Sequence, residues 1–138
     1  MASGSQESIQ QADQDTCRAA KKFTDLFYEA FDNRRKLVSK LYTSGASMVW
    51  NGHAVVGQSE IGSFLDKLPD SEHDVKSIDA QSVPAEATGG QSTILLLVGG
   101  SVTYSDGANR ERLFTQTFII TSEGDKWTIA SDRFRFLD

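Results

Sequence analysis

The chain has 138 residues, of which 24% are charged and 38% hydrophobic, and a formal net charge of -5 at pH 7. That length suits one domain that folds around a single core and buries roughly two thirds of the surface its unfolded form exposes. The acidic excess excludes phosphate-backbone binding as a main task, because such binding needs a cluster of uncompensated Lys and Arg. Residues 1–16 lack the basic start and apolar stretch of a secretory signal. The longest fully apolar run, Ile94 to Val98, falls far short of the roughly 20 residues of a membrane helix. Cys17 is the single cysteine and cannot close an internal disulfide, and Asn33, Asn51 and Asn109 lack glycosylation-acceptor spacing. A reducing cytosolic or nuclear setting is expected.

The polar residues 1–15 read as a disordered tail, and residues 16–138 as one domain. Thr16, Ala20, Phe23, Phe27 and Phe31 recur at helical steps and predict a first helix over about residues 10 to 32. Cys17 flanks that stripe as a small apolar filler. The basic run Arg34 to Lys36 reads as a solvated helix face, and Leu37, Val38 and Leu41 predict a short second helix ending near Tyr42. Met48, Val49 and Trp50 then meet Asn51-Gly52, a strong hairpin signal, and Ala54 to Val56 returns; Trp50 reads as a core residue. Ser59 is the expected N-cap of a third helix, with Ile61, Phe64, Leu65 and Leu68 on one face and Pro69 as its stop.

Four long strands follow, at about 73–83, 91–104, 111–122 and 127–136, as an antiparallel meander. Their length and Gly99-Gly100 predict a bulge or bend and a strongly curved sheet. Helices first and sheet after is an α+β plan. Phe114, Phe118, Phe134 and Phe136 share the parity that faces the helices. Thr115, Thr117, Ile119, Trp127, Ile129, Ser131, Arg133 and Arg135 fall on the other. Three helices cover only one side, so an apolar centre dressed with Thr, Asp and Arg is left open, as in a dimer interface.

Ordered segments along most of the chain carry a resemblance. They are Cys17-Arg18-Ala19-Ala20 leading to Phe23, the run Arg34 to Tyr42, Val49-Trp50-Asn51-Gly52 followed by Gly57, and Phe64 with Leu68-Pro69. Asp79-Ala80-Gln81, Gly100-Ser101-Val102, Phe114 to Phe118, Ile129 to Asp132 and Phe134-Arg135-Phe136 complete them. Together they resemble the nuclear transport factor 2-related export proteins. The resemblance implies a cone of curved antiparallel sheet packed on three N-terminal helices. It implies a non-catalytic subunit, without cofactor, that heterodimerises through the open sheet face with a larger nuclear RNA export factor. That subunit stabilises its partner for mRNA export through the phenylalanine-glycine repeats of the nuclear pore, which it meets directly or through the partner, and it shuttles between nucleus and cytoplasm without binding nucleic acid or membrane itself. Asp79 matches an acidic residue that pairs with an arginine of the large subunit, and Gln81 lies in the same matched triplet. Leu97, Thr117 and Arg133 match interface methionines of the homodimeric relative, where Thr and Arg disfavour self-pairing by desolvating unpaired polar groups. Arg133 departs from the small residue usual in the light chains.

Two alternatives stand beside this reading. A homodimeric carrier of Ran-GDP needs a glutamate after Trp50 and an acidic 105–112 loop, whereas the sequence has Asn51 and a loop of both signs. An isomerase- or dehydratase-like enzyme needs a general base and a donor inside the cone. Here His53 follows a tight hairpin turn and His73 reads as exposed, Tyr28 and Tyr42 read as packing residues with bonded hydroxyls, and no acid is assigned to the apolar parity. Two His and one Cys, far apart, make no structural zinc site.

Overall fold

A computed structural model describes residues 2–137, with side chains from Gln6 onward. Helix α1 (Ala2–Asn33) carries Ala20, Phe23, Phe27 and Phe31 on one buried stripe, as their spacing predicts. It begins well before residue 10, so residues 2–15 of the segment expected as a disordered tail are helical. Every described side chain from Gln6 to Asp15 is nonetheless exposed. Cys17 is also exposed, so it fills no core space.

A 3-10 helix (Arg35–Leu41) turns the chain into β1 (Tyr42–Trp50). Arg35 departs from the solvated face expected of the basic run. Its guanidinium donates to the carbonyls of Phe31, Leu65, Leu68 and Pro69 and to Ser71 Oγ, at 2.8 to 3.1 Å, while lying 4.3 Å from the Phe31 ring centre. One planar fork thus ties the ends of two helices to the start of a strand. Asn51 and Gly52, both at positive φ (48° and 85°), close the hairpin to β2 (His53–Val56). Helix α2 (Gln58–Asp66) is entered through Gly57 at φ 97°, with no side-chain cap, so Ser59 lies inside the helix and caps nothing.

The remaining strands are β3 (Ser71–Val83), β4 (Thr93–Tyr104), β5 (Glu111–Glu123) and β6 (Lys126–Phe136). They form the expected meander within a six-stranded sheet of order β2-β1-β6-β5-β4-β3, open at both edges. One pairing departs from an antiparallel sheet: β1 lies parallel to β6. The expected bend is present opposite Gly99-Gly100, but the extra residue is Lys76 on β3. A Cβ at Gly100 would sit 2.2 Å from the Asp74 carbonyl oxygen, so only glycine lets the two strands approach there.

The core fills the concave side of the sheet. Phe23 and Phe27 meet Phe118 edge-on, and Trp50 stacks on Phe134 with ring centres 3.9 Å apart. A second bulge, at Ala130 on β6, changes the parity of the strand. Ile129 therefore pairs with Ile120 and is fully buried, and Trp127 packs against the core, so neither belongs to the outer face.

Candidate functional site

Local pleating positions the candidate residues. On β4 the even residues Ile94, Leu96 and Val98 enter the core, which turns Leu95, Leu97 and Gly99 outward. On β5 the same rule buries Phe114, Gln116 and Phe118 and turns Thr115, Thr117 and Ile119 outward. On β6, Asp132 and Phe134 point in, and Ser131, Arg133 and Arg135 point out. Among the described residues, no helix covers the outward set.

Register brings these residues into rows. Asp79 pairs with Leu97, Leu97 with Thr117, Thr117 with Arg133, and Arg133 with Val49 of β1. Four of the five residues expected at an interface thus form one continuous rung across β3, β4, β5 and β6. Gln81, the fifth, heads the neighbouring rung, which continues through Leu95, Ile119 and Ser131. Leu97 keeps 43% of its surface exposed and Ile119 keeps 37%, so the centre of the face is apolar and open. Around it, the side chains of Asp79, Gln81, Arg133 and Arg135 make no hydrogen bond or ion pair among the described residues. An apolar centre ringed by unused charged and polar groups is the composition of a protein-binding surface.

The concave side holds polar groups that the sequence reading did not place. Asp132 is completely buried, accepting from Tyr42 Oη at 2.6 Å and from Gln116 Nε2 at 2.8 Å, while Tyr28 Oη donates to Gln116 Oε1 at 2.7 Å. Burial pushes the Asp132 carboxyl up to about 6 despite those two hydrogen bonds. Burial, followed by the charge of Asp132, also pushes both phenols well above their usual value. The tyrosines thus pack with bonded hydroxyls as expected, but the assignment of no acid to the inner parity is overturned. Asp132 shares that parity with Phe134 and Phe136, which was the available signal. With no exposed surface, and its hydrogen bonds taken up by neighbours, Asp132 offers no atom to a substrate. A cavity of about 270 Å³ between α1 and the start of β4, lined in part by Thr16, Val83, Ile94 and Trp127, does not reach it.

His73 is likewise not exposed. Its side chain keeps 1% of its surface, packs against Tyr28, Phe31 and Phe114, and places Nδ1 2.6 Å from Asp32 Oδ1. Asp32 also accepts from the His73 backbone N–H and from Ser71 Oγ. Burial raises the Asp32 carboxyl, but the bonds from His73 and Ser71 outweigh it and hold the group below its usual value. This cluster fastens the end of α1 to the start of β3. Among the described residues, no group of three or more His, Cys, Asp or Glu side chains is arranged to hold a metal ion.

The comparisons agree with this architecture. The family model described as the nuclear transport factor 2 (NTF2) domain matches residues 19–136. The chain is 43% identical over 126 residues to "NTF2-related export protein 1" of Bos taurus, covering 88% of this chain and 89% of that protein. It is 40% identical over 133 residues to "NTF2-related export protein" of Caenorhabditis elegans, covering 96% of each. Among solved structures, nuclear transport factor 2 from Cryptosporidium parvum superposes with a TM-score of 0.76 at 22% identity, over 88% of this chain and 94% of that one. A model match across nearly the whole packed domain, on a six-stranded curved sheet with helices on one side, places this chain in the NTF2 domain family.

Proposed function

We propose that the chain is the small, non-catalytic subunit of a heterodimer with a larger nuclear RNA export factor, which it stabilises for the carriage of mRNA through the nuclear pore. The observation that carries this reading is the uncovered sheet face, where Asp79, Leu97, Thr117 and Arg133 share one rung. Similarity to proteins named as export proteins supports the direction of transport. In this reading Asp79 meets an arginine of the large subunit, setting the register of the two sheets and rejecting like-charged partners. The subunit passes between nucleus and cytoplasm with its partner, and contact with phenylalanine-glycine repeats of nucleoporins is direct or through that partner.

One detail disfavours the Ran-GDP carrier. Asn51, where that carrier has a glutamate, spends its side-chain oxygen on the Phe136 backbone N–H at 2.9 Å and holds a left-handed turn. It is a structural residue here, with no carboxylate for a basic ligand.

Light scattering of the purified chain mixed with the matching domain of a nuclear RNA export factor tests the proposal. A one-to-one complex that Asp79→Arg weakens supports it. A chain that ignores that domain and binds Ran-GDP overturns it.

A further inference from the structure

Asparagine stands at positions 33, 51 and 109, and of these Asn51 alone is followed by glycine. An asparagine amide is thermolabile because the backbone nitrogen of the next residue can attack its Cγ. The outcome depends on how free that nitrogen is. At Asn33 the nitrogen belongs to Arg34 and is held in the helix by its bond to the Ala30 carbonyl at 2.7 Å. At Asn109 it belongs to Arg110, whose Cβ crowds the approach. At Asn51 it belongs to Gly52, which lacks a Cβ, lies exposed at the hairpin tip and donates no backbone hydrogen bond among the described residues. The Asn51 side chain is also prepared for attack. Its Oδ1 accepts the Phe136 N–H at 2.9 Å, while its own N–H donates to the Phe134 carbonyl at 2.8 Å. A donor on Oδ1 draws electrons from Cγ and steadies the negative charge that forms on that oxygen when nitrogen adds. Nδ2 makes no hydrogen bond among the described residues, so water reaches the leaving group.

We infer that Asn51-Gly52 is a site of spontaneous modification, at which the Gly52 nitrogen closes a cyclic imide on Asn51. The Gly52 N–Cγ bond forms as the Cγ–Nδ2 bond breaks, the Gly52 amide proton passes to water, and Nδ2 takes a proton from water and leaves as ammonia. Water then opens the ring at either carbonyl. Opening at Cγ gives aspartate on the original backbone. Opening at the Asn51 backbone carbonyl gives isoaspartate, with the chain running through Cβ and Cγ. Water is the single co-reactant, and neither oxidant nor reductant is needed. The products differ in their effect on the fold. Aspartate keeps an oxygen for the Phe136 N–H and leaves the turn in place. Isoaspartate adds a methylene to the backbone where the hairpin needs two consecutive residues at positive φ, and it turns the carboxylate away from β6. The end of β6 then loses a tie beside the Val49 to Arg133 pairing. An aged chain therefore carries a loosened β1–β6 end, whatever occupies the outer face.

Peptide mapping by mass spectrometry of the whole folded chain, held at mildly alkaline pH and sampled over weeks, tests the inference. The mass gain that marks a lost amide is expected first at residue 51, with aspartate and isoaspartate both present. Asp106-Gly107 closes the same ring by losing water and then regains it, so it adds no mass and is not confused with residue 51. Gly52→Ala is expected to slow the conversion at least about tenfold, because a Cβ crowds the attacking nitrogen. Freshly purified Asn51→Asp is expected to keep the Phe136 amide protected from hydrogen exchange. The isoaspartate fraction of the aged wild type is expected to exchange it at least about tenfold faster. An amide at residue 51 that stays intact in the folded chain while the same chain converts in urea overturns the inference. So does conversion that starts at residue 33 or 109, or a rate that Gly52→Ala leaves unchanged. Equal protection of the Phe136 amide in every form overturns the loosened β6 end.

Discussion

Tyr42, the first residue of β1, donates its phenolic hydrogen to the carboxylate of Asp132 on β6 across 2.6 Å, in a core where both side chains are buried. The bond favours the charged carboxylate, yet loss of water disfavours it more, and the group titrates near 6 rather than 3.8.

A raised native value means that the folded chain binds more protons than the unfolded chain between those two values. The Asp132 contribution is therefore fully present below about pH 4 and is lost as pH rises through 6, at up to about 1.4 kcal/mol per pH unit. Asp32 has the opposite sign, because its value is lowered, and its contribution is lost as pH falls below 3.8. Urea unfolding of Asp132→Asn between about pH 4.5 and 7 is expected to lack the slope of the wild type. An unchanged slope would show that Asp132 does not titrate in this window.

Arg35 supplies one fork to four carbonyls and a hydroxyl. Arg35→Met removes all five bonds, and although Leu65 O keeps the Leu68 N–H and Pro69 O can turn to water, the part-buried tie between the helix ends and β3 is lost, so a drop of about 2 to 4 kcal/mol is expected in chemical denaturation. Arg35→Lys is expected to recover less than half of it, since a single ammonium cannot span the same acceptors.

Gly100 and Gly45 make a contrasting pair. A Cβ at Gly100 collides with the Asp74 backbone, and one at Gly45 meets nothing within 4 Å. Gly100→Ala is expected to destabilise by about 1 to 3 kcal/mol, while Gly45→Ala should stay within about 0.5 kcal/mol of the wild type. Thermal melts of the two variants check both values.

Leu97 separates stability from partner binding. It is part-exposed at the centre of the outer face, so Leu97→Arg is expected to shift the unfolding free energy by about 0.5 kcal/mol or less. The same change puts an unpaired charge into the apolar centre of the proposed interface and should abolish capture of the export factor's matching domain in a pull-down. Retained capture would place the interface elsewhere.

Much of this was legible in the sequence because strands advertise themselves by alternation and their turns by Gly and Asn. The four meander strands begin and end within about two residues of expectation, and Asn51-Gly52 closes the hairpin it announces. Parity puts Thr117 and Arg133 on the outer face, but their alignment with Leu97 in one rung depends on strand register, which alternation does not display. Ile129 and Trp127 were assigned to the wrong face because the bulge at Ala130 flips the parity without any turn residue to mark it. His73 and Arg35 were misread as solvated because their partners are remote. Asp32 is 41 positions from His73, and the carbonyls of Leu65 to Pro69 are 30 to 34 positions from Arg35. Local composition describes a charged residue's neighbours in the chain, and tertiary contact decides whether it meets water.

The parallel pairing of β1 with β6 also sets the order of events during synthesis. β1 leaves the ribosome early, but its neighbour on one side is the last strand to be made. Until residues 126–136 emerge, β1 has only the short β2 beside it, Tyr42 lacks Asp132, and Trp50 lacks the Phe134 ring beneath it. A nascent chain stalled before that point holds a helix and an incomplete sheet with apolar faces on both sides, a form that invites chaperones and aggregation. Closure must wait for this long-range contact, so folding is expected to complete only once β6 is free to pair, and slowly for a chain of this size.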